Sequence, residues 1–92
     1  MNRKYEFTGE TRNWVGRTLH RIRAVRDFGD VKTGDLGGWI EKESNLSHAG
    51  DAWVRCNALV CGSAVVSNSA VVCGSAVVRD SAVVGDSAVV CD

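Results

Sequence analysis

A chain of 92 residues with 11 basic side chains, 11 acidic ones and no proline makes one small domain, too small for a large core without regular or oligomeric support. Its zero formal charge argues against nucleic acid as a partner of the whole chain, and no apolar run reaches the length of a membrane span. Charge is uneven, however: residues 1–30 carry seven Lys and Arg against four Asp and Glu, and residues 31–92 the reverse, so a mildly basic head precedes a mildly acidic tail.

The N-terminus, MNRKYEFTGE, is polar and lacks the apolar centre of a secretory signal. Cys56, Cys61, Cys73 and Cys91 are therefore expected as reduced thiols in a cytoplasm. Lys4–Thr8 reads as a short strand, and Thr18–Arg26, alternating and free of glycine, as a second. The segment GETRNWVG between them is expected to be a hairpin connection too long for a tight two-residue turn. A helix over residues 18–28 is the alternative, although Leu19, Ile22, Val25 and Phe28 recur every three residues and drift around a helix rather than hold one stripe. Residues 1–30 are thus read as an N-terminal β-hairpin cap.

GDVKTGDLGGWI follows, with Gly34, Gly37 and Gly38 expected at corners that other residues resist. Ile40 and Leu46 are six apart and are expected to point inward. Leu46 to Val54 is eight, which predicts a bulge near SHAG, residues 47–50.

From Asp51 the chain divides without remainder into seven hexapeptides: DAWVRC, NALVCG, SAVVSN, SAVVCG, SAVVRD, SAVVGD and SAVVCD. The second residue is always Ala and the fourth always Val. Spaced by two, they share one side of a strand, and the Gly, Asn, Asp and Ser pairs between hexapeptides suit corners. Three such strands would close a triangular coil of eighteen residues, and coils would stack at about 4.8 Å, the ordinary strand separation. Residues 31–92 hold three to four coils, close to the minimum for a stable stack.

The pattern Val-x-[Gly/Asp/Asn]-Ser-Ala-Val resembles the hexapeptide repeat of left-handed parallel β-helices. That resemblance covers residues 51–92 strictly and implies an all-β fold, a left-handed parallel β-helix with the valines and alanines inside. KYEFTGET, LHRIRAVRDFGDV and GDLGGWIEKESNLSHAGDAWV, within residues 4–54, are together similar to small hexapeptide-repeat proteins of bacteriophages and prophages. This second resemblance implies a context, the cytoplasm of a bacterial host, rather than a chemistry.

The third residue of each hexapeptide points away from the interior. Trp53, Leu59, Val65, Val71, Val77, Val83 and Val89 would form apolar ladders on all three walls, and such contiguous patches mark interaction sites. Cys91 and Asp92 belong to a final coil whose edge would need a cap. These residues are the candidate interface, first with further copies as a dimer or trimer and then with a host protein.

Arg17, Arg21, Arg23 and Arg26 are candidate contacts to phosphate or an acidic partner, set against a solvated strand face or pairing with Asp27 and Asp30. His20 and His48 are the only histidines. Repeat-type acyltransferases use a histidine between subunits, but residues to build a substrate pocket around one are lacking here. Two histidines cannot supply a three-histidine metal site, and no Cys-x-x-Cys pair is present, so neither metal nor cofactor is expected. Cys73 and Cys91, eighteen apart, should lie on adjacent coils, where a disulfide is geometrically possible and a reducing compartment opposes it.

The reading is a non-enzymatic, oligomeric protein-interaction module, and the bacteriophage context suggests an inhibitor of a host defence protein. Two alternatives stand beside it: a minimal hexapeptide acyltransferase relative with an inter-subunit site, and a nucleic-acid-binding head on a structural β-helix.

Overall fold

The computed structural model describes residues 3–91. Ten strands follow one another: β1 (Tyr5–Trp14), β2 (Arg17–Ala24), β3 (Leu36–Ile40), β4 (Trp53–Val54), β5 (Leu59–Val60), β6 (Val65–Val66), β7 (Val71–Cys73), β8 (Val77–Val78), β9 (Val83–Val84) and β10 (Val89–Cys91). One short 3-10 turn, Glu43–Asn45, interrupts them, and the described residues contain no α-helix.

Pairing follows the hexapeptide period. Trp53 lies beside Val71 and Val71 beside Val89 in one sheet, Leu59 beside Val77 in a second, and Val65 beside Val83 in a third. All these pairs are parallel and eighteen residues apart, so the chain returns above itself every three hexapeptides. The arrangement is all-β with stacked parallel strands, consistent with a β-helix. In the first coil the offset is twenty: Ile40 pairs with Val60 and Leu46 bridges to Val66. The two extra residues lie between Leu46 and Trp53, where the Ser47 hydroxyl accepts the Ala49 N–H.

The interior holds the alanines and valines of the second and fourth hexapeptide positions. Ala52, Val54, Ala58, Val60, Ala64, Val66, Ala70 and Val72 are essentially inaccessible, each valine contributing roughly 1.5–3 kcal/mol by burial. Toward the last described coil burial declines: Ala82 and Ala88 are exposed and Val90 half-buried.

Corners are made by the sixth position. Cys56, Gly62, Asn68, Gly74, Asp80 and Asp86 all have φ between 54° and 68°. Glycine, Asn and Asp tolerate this left-handed backbone best, which is why they recur there. Cys56, φ 58°, is the exception.

Arg17–Ala24 is strand, as expected, and the alternative helix over residues 18–28 does not form. The head departs from expectation in two respects. First, β1 and β2 run on to a two-residue turn, Val15-Gly16, with φ of 48° and 77°. Positive φ at both positions matches the right-handed twist of a hairpin. The longer connection expected from GETRNWVG is instead strand, with a register shift between Phe7 and Thr11 where Gly9 adopts φ 96°. Second, Gly37 and Gly38 sit inside β3 rather than at corners. They are needed for close approach: a Cβ on Gly38 would lie 2.5 Å from the Ala58 carbonyl oxygen, and one on Gly37 2.7 Å from both Ile22 and Trp53. Only Gly34 of the three has the positive φ, 95°.

Strand β2 pairs antiparallel with β3, so the hairpin extends one sheet of the stack in the order β1-β2-β3-β5-β8. Its inner side chains close over the first coil. The Tyr5 hydroxyl reaches the carbonyls of Leu46 (2.6 Å) and Glu43 (2.8 Å). The buried Lys4 ammonium donates to the Ala52 carbonyl at 2.6 Å and lies 4.8 Å from the Phe28 ring centre. The Ala52 and Leu46 carbonyls are thus supplied with donors in buried surroundings.

Candidate functional site

The outward third positions divide sharply along the stack. Trp53 and Leu59 do not belong to an open wall, contrary to the sequence reading. Trp53, 2 % exposed, lies under the head with Phe28 edge-on at 5.2 Å and Tyr5 tilted at 6.4 Å. Leu59 is buried in a second cluster with Leu19, Trp39 and Cys61, against which Trp14 packs. The sequence did mark these two positions: they alone replace valine by a larger side chain, which needs cover from elsewhere in the chain. Val65 and Val71 are half-buried. Val77, Val83 and Val89 are 42 %, 71 % and 65 % exposed, and these are the outward valines that remain open. Cys91 is exposed, and Asp92 lies outside the described residues.

Cys73 and Cys91 face one another across β7 and β10 with Cα atoms 4.6 Å apart, their sulfurs joined in a disulfide. The expectation of separate small thiols at these two positions is corrected: parallel stacking at strand spacing brings the two sulfurs together. Cys61 remains a free, buried thiol whose pKa is pushed up by burial, and Cys56 is free and exposed.

The arginines are dispersed by their partners. Arg17 pairs with Glu41 at 2.9 Å and Arg23 with Glu6. Arg26 donates to the His48 carbonyl at 3.2 Å, and Arg21 to the Gly37 carbonyl at 3.2 Å. None of these partners is Asp27 or Asp30. Asp27 instead accepts the Thr33 N–H and hydroxyl, which hold its carboxyl below the ordinary range. Arg21 and Arg12 both lie over Trp39, 5.3 and 5.5 Å from the ring centre, a cation–π arrangement.

His48 is not arranged as a general base. His48 stacks on Tyr5 at 4.2 Å, and its Nδ1 accepts the Lys4 backbone N–H at 3.1 Å. In the neutral ring that bond leaves the proton on Nε2, which points toward Glu43 at 3.6 Å, so no free lone pair remains to take a proton. Burial, the largest influence, lowers the His48 pKa. His20 stacks on Phe7 at 4.4 Å. Among the described residues no group of three or more His, Cys, Asp or Glu side chains is placed to hold a metal ion, and no helix is long and apolar enough to cross a membrane.

Sequence reasoning passed over Asn45, which is fully buried in the first coil. Its Oδ1 accepts the N–H groups of Glu41 and Lys42, and its Nδ2 donates to the carbonyls of Gly62 and Ala64. One side chain thus ties the first coil to the second. No periodicity marks it, because it lies before the strict repeat begins.

No protein-family model matches the chain. Over 50 residues, 54 % of its length, the chain is 38 % identical to a protein named "Uncharacterized acetyltransferase YdcK" from Escherichia coli (strain K12). The aligned stretch is 14 % of that protein, so the chain spans about a seventh of its relative. This similarity corrects the non-enzymatic reading: it points toward an acetyltransferase family, without establishing activity in this chain. It lends no support to a bacteriophage origin or a host-defence partner.

Proposed function

We propose that the chain is a left-handed parallel β-helix of the hexapeptide-repeat type, residues 31–92 capped by residues 1–30, that acts by associating with further copies of itself. The observation that carries this reading is the contrast along the outer walls. Where the head reaches, outward side chains are buried; where it does not, Val77, Val83 and Val89 stand exposed on three different sheets. Packing these valines against a second copy removes apolar surface from water. The measurement is mass in solution by sedimentation. The wild-type chain is expected as a dimer or trimer, and the triple variant Val77→Lys, Val83→Lys, Val89→Lys as a monomer. A wild-type chain that stays monomeric at high concentration overturns the reading.

The similarity to YdcK supports a second reading, acetyl transfer at a site formed between copies. His48 is committed to Lys4 within its own chain, so a base would come from elsewhere in the assembly. Saturable binding of acetyl-coenzyme A by the assembled protein, lost in the monomeric variant, is its expected signature. Absence of binding at millimolar coenzyme removes it.

A further inference from the structure

Of the four cysteines, only Cys73 and Cys91 are separated by the eighteen residues that return the chain to the same wall. Eighteen residues after Cys61 stands Arg79, and after Cys56 stands Gly74, so neither free thiol has a cysteine partner on the next coil. The Cys73–Cys91 bond closes a ring of one complete turn and ties β10 to β7. The strand it ties is the least buried of its sheet. Val72 is inaccessible, whereas Val90 beside it is half-buried and Ala88 is exposed. Among the described residues β7 is paired on both sides and β10 with β7 alone. Packing therefore holds β10 weakly, and a covalent link at this position restricts the opened chain more than it adds to the closed one. Cys91 is exposed and Cys73 half-buried, so a dissolved thiol can reach the bond.

We infer that the Cys73–Cys91 pair is a redox-operated latch. Oxidised, it keeps β10 and its outward Val89 on the stack; reduced, it lets that strand open while the coils beneath stay closed. A dithiol supplies the two electrons. Its thiolate attacks the exposed Cys91 sulfur, and the electron pair of the broken bond leaves on Cys73. The reductant's second thiol then displaces Cys91 and closes the reductant into its own disulfide. Each cysteine ends with one of the two protons that the dithiol gives up. The latch works within one chain and stands or falls independently of self-association.

Hydrogen exchange of the whole chain, followed residue by residue in air-equilibrated buffer and in dithiothreitol, tests this. The Val71 N–H donates to the Ala88 carbonyl at 3.0 Å, beside β10; one coil earlier the Trp53 N–H donates to the Ala70 carbonyl at 3.1 Å. Peptide mapping under air is expected to join Cys73 to Cys91 and leave Cys56 and Cys61 unlinked to either. Reduction is expected to speed exchange at Val71 at least tenfold and to leave Trp53 unchanged. Cys91→Ser under air is expected to exchange like the reduced wild type and not to respond to dithiothreitol. Absence of the Cys73–Cys91 link under air, equal Val71 exchange in the two states, an equal change at Trp53, or a Cys91→Ser chain that still responds to dithiothreitol overturns the inference.

Discussion

Between Lys4 and Asn45 side chains bond to backbone repeatedly: Lys4 to Ala52, Tyr5 to Leu46, Arg21 to Gly37, and Asn45 to both Gly62 and Ala64. Between Val65 and Cys91 the stack relies on backbone ladders, buried valine and alanine, and the Cys73–Cys91 link. Among the described residues the only ion pair there joins the sequence neighbours Arg79 and Asp80 at 3.9 Å, both largely exposed, and such a pair adds little. The first region is specified by individual side chains and the second by repetition. A single substitution should therefore cost more at the head end, where each contact is made once, than at the far end, where neighbouring coils repeat the same packing.

The largest effect is expected at Gly38. Replacing it with Val forces side-chain atoms against the Ala58 carbonyl and Val54, and overpacking of this kind costs about 3 kcal/mol. A denaturant midpoint indistinguishable from wild type would break the comparison at its strongest point. Next comes a matched pair. Val54→Ala, at an inaccessible side chain of the first repeat, is expected to cost about 2 kcal/mol, from two lost carbon groups and the cavity they leave. Val90→Ala, half-buried, is expected to cost less than about 0.7 kcal/mol. Equal shifts in urea unfolding would show that the two ends are held alike.

Tyr5→Phe should cost about 1.5 kcal/mol, since it leaves the Leu46 carbonyl without the hydroxyl donor in a buried position while keeping the ring. The smallest effect is expected at His48 as pH is lowered. His48 has its pKa lowered in the folded chain, chiefly by burial. The unfolded chain therefore takes up this proton first, and the group's contribution is present above pH 6.5, its ordinary value, and lost as pH falls through the folded value. Lys4 acts at the other end of the scale: burial lowers it from 10.5 to about 8, so stability rises with pH across that interval. Thermal melts of wild type and His48→Gln at pH 5 and pH 7 check the first; a pH-dependence undiminished in the variant would assign it to another group.

The tail was legible because its physics is periodic. Ala at the second position, Val at the fourth and a turn-tolerant sixth are enough to give inward faces, strand spacing and an eighteen-residue return. The eight-residue gap from Leu46 to Val54 also showed where the first coil would be irregular. The head was less legible because its contacts join distant residues. Nothing in GETRNWVG separates a long loop from two strands closed by Val15-Gly16, and Gly37 and Gly38 read as corner residues until Ala58 and Trp53 are seen pressing on them. The same holds for the candidate sites. The outward valines are visible as a pattern, whereas the burial of Trp53 and Leu59 depends on which head residues fold back over them.

The eighteen-residue register also makes length a quantised property of this architecture. Excising residues in blocks of eighteen, for instance 57–74, would return every surviving strand to the sheet it already occupies and put Arg79 at the place of Cys61. Excising six, for instance 57–62, would move all later strands on by one sheet, taking β7 away from β4 while leaving Cys73 beside Cys91, and would present a different wall beside the head. Variation in the number of repeats is therefore structurally silent only in whole turns.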